Sequence, residues 1–180
     1  MSIWKLLGFG GRREEEEASA SGDTETVRKI VGELEALSPE EARYVAAFAY
    51  VLSRVAYADQ DVSEDEAIVM EHLTQEYGGL SEAQAVLVVE IAKKQAELFG
   101  GTENFLVTRE FSEISTREQR EHLLHCLFAV AAADDSISNV EERQVRQIAT
   151  ELGFSNQEFL TVRSAYNDKR EVVKISKGST

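Results

Sequence analysis

Residues 52–73, LSRVAYADQDVSEDEAIVMEHL, return 75 positions later as residues 127–148, LFAVAAADDSISNVEERQVRQI. At that offset Leu52, Val55, Ala56, Ala58, Asp59, Ser63 and Glu66 are matched by Leu127, Val130, Ala131, Ala133, Asp134, Ser138 and Glu141, and Val62 pairs with Ile137. The likeness resumes with one residue fewer: Tyr77 and Gly78 against Leu152 and Gly153, then Leu80 and Ser81 against Phe154 and Ser155. Each copy reads as a helix, a tight acidic turn, a second helix, a glycine stop and a third helix. An internal repeat of this kind predicts two equivalent hairpins that bury their apolar faces together.

Working outward, one device punctuates the chain from about residue 24 to 168. A serine is followed three residues later by Glu or Gln, just ahead of an apolar-periodic run: Ser38/Glu41, Ser63/Glu66, Ser81/Gln84, Ser115/Glu118, Ser138/Glu141 and Ser155/Glu158. This is the capping-box pattern, which satisfies backbone N–H groups left without partners at a helix start. The single proline, Pro39, follows Ser38 at the first helical position, where the missing N–H costs nothing. Gly78, Gly79, Gly100, Gly101 and Gly153 fall at the far ends of the runs. These signals predict helices at about 24–36, 39–58, 64–77, 82–99, 116–133, 139–152 and 156–167, with a shorter turn of helix near 103–112. Residues 85–91, AVLVVEI, are strand-like in composition. The Ser81/Gln84 box ahead of them and the helical continuation behind them favour a buried central helix. The fold class expected is therefore all-α: a seven- to eight-helix bundle made of two pseudo-repeated hairpins.

Composition narrows the function classes. The 180 residues carry 33 acidic against 19 basic side chains, a formal charge of −14. Nucleic acid is excluded as a partner, because a phosphate backbone calls for clustered Lys and Arg. One cysteine, Cys126, rules out an intramolecular disulfide and a Cys-rich zinc site, and fits a reducing, cytoplasmic compartment. No stretch approaches the ~20 apolar residues of a spanning helix. The acidity is local: between Val55 and Ala92 lie nine acidic residues and no Lys or Arg. The domain organisation expected is a flexible N-terminal segment at 1–23, a helical domain at 24–168 and a disordered tail at 169–180.

The shared turn, Ala-Asp-x-x-(Val/Ile)-Ser-x-x-Glu, is only partly explained by capping. Ser63 and Ser138 act as N-caps, Glu66 and Glu141 close the boxes, and Val62 and Ile137 staple the entry. Asp59 and Asp134 remain, four residues ahead of each cap, near a helix C-terminus whose dipole disfavours a carboxylate. The boxes at Ser38 and Ser115 lack an Asp at that position, so the Asp belongs to the repeated turn. Oxygen ligands around a turn suit hard divalent cations such as Ca²⁺ or Mg²⁺. If the hairpins face each other, Asp59, Glu66, Asp134 and Glu141 converge on one ion, with Asp61 and Asp135 assisting. An EF-hand does not fit. Asp59, Asp61 and Ser63 occupy its first, third and fifth positions, but Glu64 replaces the loop glycine and Met70 stands where the bidentate Glu belongs.

The paired turn resembles the TerB family of tellurite-resistance proteins and the related N-terminal domain of a membrane-anchored DnaJ-like co-chaperone, whose signature is Ala-Asp-Gly-x-(Val/Ile)-Ser-x-x-Glu in each half. The resemblance covers about residues 30–167. It implies a seven- or eight-helix bundle with a divalent-metal site at Asp59, Glu66, Asp134 and Glu141. The family's glycine after the Asp is Gln60 in one copy and Asp135 in the other. No J-domain signature follows, so co-chaperone activity does not transfer.

Other chemistry is weaker. His122 and His125 lie beside Cys126 on a helix, with Glu118 and Glu121 nearby, but they lack the Glu-x-x-His spacing of a ferritin-like site and a matching second helix. Cys126 reads as a small buried hydrophobe. No phosphate loop, nucleophile elbow or Cys/His pair points to catalysis. At the N-terminus, Ile3, Trp4, Leu6, Leu7 and Phe9, with Lys5, Arg12 and Arg13, suit a membrane interface or a protein partner. The functional expectation is a non-enzymatic, metal-binding TerB-like domain in stress response, or a membrane-proximal interaction module with weak peripheral attachment through residues 1–13. The alternative is a metal-free helical adaptor for protein–protein interaction.

Overall fold

A computed structural model describes residues 21–56, 64–98, 104–133 and 136–169. Eight helices carry them: α1 Ser21–Ala36, α2 Pro39–Ala56, α3 Glu64–Gly78, α4 Glu82–Leu98, α5 Asn104–Ile114, α6 Arg117–Ala131, α7 Asn139–Glu151 and α8 Asn156–Ser164, followed by a 3-10 turn at Asn167–Lys169. Among the described residues there is no strand; Ile137 takes part in an isolated β-bridge. The all-α expectation holds. The strand-like run at 85–91 lies inside α4, with Ala85, Leu87, Val88, Val89 and Ile91 buried.

Capping sets most of the helix starts. In the four boxes at Ser38, Ser81, Ser138 and Ser155 the serine Oγ accepts from the backbone N–H of Glu41, Gln84, Glu141 or Glu158, and that side chain accepts from the serine N–H. The Ser63/Glu66 box lies outside the described side chains. The box expected at Ser115/Glu118 is displaced by one residue. Thr116 is the N-cap and Gln119 closes it. Ser115 instead donates its hydroxyl to the Phe111 carbonyl at 2.5 Å, satisfying an end of α5. The short turn of helix expected near 103–112 is the 11-residue helix α5, Asn104–Ile114. Its face is anchored by Phe111, which meets Tyr44 at 5.3 Å and Phe48 at 6.0 Å between ring centroids.

The core runs through α2, α4 and α6. From Val45 to Ala49 every residue of α2 is buried, as are Leu123, Leu124 and the run from Cys126 to Ala131 in α6. Helices apolar on nearly all sides belong at the centre of a bundle. The other helices cover them. Helix α8 is held by Phe159 against Phe128, at 5.5 Å between centroids, and by Arg146 over the Phe159 ring at 4.3 Å.

Candidate functional site

The repeat makes α2 and α6 equivalent, and likewise α3 and α7, so each acidic turn joins one pair. Of the candidate ligands, Asp59, Asp61, Asp134 and Asp135 lie outside the described residues, as does the side chain of Glu66. Glu141 is described. It sits in the first turn of α7, half-buried, and its Oε2 accepts from the Ser138 N–H at 2.8 Å. The apolar N-terminal residues Ile3, Trp4, Leu6, Leu7 and Phe9 also lie outside the described residues. Among the described residues, no group of three or more His, Cys, Asp or Glu is arranged to hold a metal ion. The His122/His125 cluster is therefore no such site.

The helices that flank the turns are well defined, and their directions matter. The Cys126 thiol of α6 donates to the Thr74 Oγ1 of α3 at 3.8 Å. Five residues further along, a Cβ built on Gly79 would stand 2.6 Å from the Nδ1 of His122. Moving forward in α3 is thus moving backward in α6, and the two helices are antiparallel. Glu64, where α3 begins, and Ala131, where α6 ends, consequently share one end of the bundle. The first turn leads into α3 at that end, and the second leaves α6 there.

Gly79 allows the close approach on which this packing depends. Its φ of +66° is left-handed, a conformation that only glycine adopts freely. It terminates α3 while the His122 ring occupies the space of a side chain. Gly153, with φ of +80°, performs the same stop after α7, with only the Arg120 guanidinium near it, at 3.9 Å.

Sequence reasoning missed one buried pair. Arg54, in the last turn of α2, donates to Glu151 Oε2 at 2.5 Å and to Thr108 Oγ1 at 2.6 Å, and so ties α2, α5 and α7 together. Burial pushes the Glu151 carboxyl up, and the Arg54 hydrogen bond and charge more than offset it, leaving the group below its ordinary value. The available signal was a basic residue inside the apolar run VLSRVA. Cys126 is fully buried, as expected, and desolvation pushes its thiol up to about 12 against a small opposing effect from Thr74.

An all-helical domain of two equivalent halves, in which the start of α3 and the end of α6 share one end of the bundle, defines the class. The sequence model of one such family, described as tellurite resistance protein TerB, matches residues 44–164. That span exceeds half of the chain, and the protein belongs to the TerB family. The family is an all-helical, non-catalytic domain type. No curated protein and no solved structure matches the chain. No described helix is long and apolar enough to cross a membrane.

Proposed function

We propose that this TerB-family protein is a non-enzymatic module that binds one hard divalent cation, Ca²⁺ or Mg²⁺, between its two acidic turns, with a role in stress response or protein interaction. The ligands in this reading are Asp59, Glu66, Asp134 and Glu141, with Asp61 and Asp135 as further oxygen donors. The observation that carries it is the shared end of α3 and α6, which brings the approaches to both turns to one side of the bundle. The donor chemistry agrees, since every candidate is a carboxylate and hard cations take oxygen ligands. The Asp residues also remain without a capping role. When bound, the cation would neutralise the repulsion among these carboxylates and hold the turns in one arrangement. Glu141 would then serve both the Ser138 cap and the ion, because a carboxylate has more acceptor positions than the one bond to Ser138 uses.

The second reading, a metal-free adaptor, is favoured by the same Glu141. Its capping box is complete without any cation. Calorimetric titration with Ca²⁺, Mg²⁺, Mn²⁺ and Zn²⁺, joined to thermal melts with and without chelator, decides between the two. The metal reading expects saturable binding and a raised midpoint, both lost in Asp59→Asn/Asp134→Asn. Absence of binding by the unsubstituted protein leaves the adaptor.

A further inference from the structure

Helix α1 packs against α2 and α4. Among its described side chains, Ile30 and Leu34 enter the core, each 2% accessible, and Leu37 just beyond the helix is partly buried against it. The three stand at i, i+4 and i+7, one apolar stripe. Lys29 donates its Nζ to Glu90 Oε1 of α4 at 3.0 Å, but the lysine side chain is 57% accessible, and exposed pairs of this kind stabilise little. The other oxygen of that carboxylate, Oε2, is buried with no hydrogen-bond partner. Water would satisfy this acceptor if α1 moved away.

Two further features suit α1 to leave without disturbing its neighbours. Gly32 lies in the helix interior, and a Cβ added there would meet no atom within 4 Å. Glycine is the poorest helix former after proline, and no close packing requires one at this position. The helix is weakened where an alanine would fit. Helix α2, for its part, has its own start: Ser38 and Glu41 form the capping box and Pro39 stands first. Pro39 has no N–H with which to continue the hydrogen bonds of α1, so α2 does not need α1 in order to begin.

The surface under α1 is already shaped for a helix. It accepts apolar side chains at i, i+4 and i+7, with a cation one residue ahead of the first, opposite Glu90. We propose that α1 is a displaceable strap, and that its release opens a groove on α2 and α4 that binds an amphipathic helix of another protein with the same anchors: Ile or Leu at i, i+4 and i+7, and Lys or Arg just before the first. Such binding is coupled to opening, so its apparent affinity scales with the fraction of open molecules. The groove does not depend on metal binding by the acidic turns.

Hydrogen exchange in the full-length protein reads the strap. Amides of residues 28–36 should exchange through a local opening, ahead of those of α6. Gly32→Ala should slow them about fivefold, the factor expected for alanine against glycine in a helix interior, and leave α6 unchanged. Equal slowing of both helices, or of neither, overturns the strap. The groove is read with a fluorescent peptide of residues 21–38 added to full-length Ile30→Asp/Leu34→Asp, whose own α1 should be displaced. Saturable anisotropy binding, absent for a peptide carrying the same two substitutions, supports the proposal. No binding to the opened variant overturns it. Loss of the cooperative melt and helical circular dichroism in that variant overturns it too, because α1 would then be inseparable from the core. Light scattering that shows the parent protein dimerising by exchange of α1 assigns the groove to a second copy, and overturns the assignment to another protein.

Discussion

The guanidinium of Arg54 and the carboxylate of Glu151 meet at 2.5 Å with their side chains only 2% and 8% accessible, joining helices 97 residues apart in sequence. Such a pair is costly to desolvate and still more costly to break from one side. Glu151→Leu leaves the Arg54 charge buried without its carboxylate and should destabilise the fold by about 3–5 kcal/mol. The double substitution Arg54→Met/Glu151→Leu should recover much of that, because apolar pairs of similar volume replace buried ion pairs well. Urea unfolding of the single and double variants measures the coupling. Additive losses in the double variant would mean that the pair contributes nothing as a pair.

That pair also marks where sequence reasoning stopped. The repeat, the caps and the glycine stops are local signals, each readable within a few residues, and they place α2, α3, α4, α6, α7 and α8 to within a residue or a few at each end. Ser115 shows the limit of even a local signal. The stretch STREQ holds two overlapping capping boxes, Ser115/Glu118 and Thr116/Gln119, and composition cannot choose between them. The choice is made by the end of α5, whose Phe111 carbonyl takes the Ser115 hydroxyl. Arg54 and Glu151 carry no local signal for each other at all. Their meeting follows from how α2 and α7 cross. For the candidate site, the sequence supplies residue types and a two-fold relation, while the shared end of α3 and α6 comes from the packing of Thr74 on Cys126 and of Gly79 on His122.

Replacing Gly79 with alanine should cost more than the same change at Gly153. Both have positive φ, which strains an L-residue by about 1–2 kcal/mol. At Gly79 the new Cβ also collides with His122, 2.6 Å away, whereas at Gly153 the nearest atom stands at 3.9 Å. Urea midpoints for the two variants should therefore differ. Adding His122→Ala to Gly79→Ala should narrow the gap without closing the part due to φ.

Acid should weaken the fold through named carboxylates. The Ser155 hydroxyl and backbone N–H, then Arg117, hold Glu158 down to about 2 from 4.5, and Ser38 lowers Glu41 in the same way. A folded pKa below the unfolded one means stability that is complete above the unfolded value and lost as pH falls through the folded one. For Glu158 that window runs from about 4.5 down to about 2. Glu158→Gln keeps the capping geometry while removing the titration, so unfolding free energies measured across the window should fall less steeply than in the parent. An unchanged slope would show that the Glu158 interactions persist in the unfolded chain or do not exist in solution.

Cys126 should be inert in the native protein. Its thiol is fully buried and pushed up to about 12 by desolvation, so almost no thiolate exists at neutral pH. Reaction with a disulfide reagent such as DTNB should be slow at pH 7 and rapid in denaturant, its native rate following the opening of α6 from α3. Immediate labelling of the folded protein would mean that the Thr74–Cys126 contact is not a tight one.

Glu141 separates capping from metal binding, because the two tasks need different properties of one side chain. The box with Ser138 needs an acceptor oxygen at the third helical position, which glutamine supplies as well as glutamate. A cation needs the charge. Glu141→Gln should therefore keep the metal-free stability to within about 1 kcal/mol, the loss being the favourable interaction of a carboxylate with the helix N-terminus. Glu141→Ala removes the acceptor too and should cost about 1 kcal/mol more. If the turns hold an ion, saturating Ca²⁺ or Mg²⁺ stabilises the parent by about 2.7 kcal/mol at a hundredfold excess over Kd. Both variants should lose that increment equally, despite differing in its absence. Thermal melts of the three proteins with metal and with chelator read both effects in one series. A metal-dependent increment retained in Glu141→Gln would remove Glu141 from the ligand set and leave it a capping residue alone.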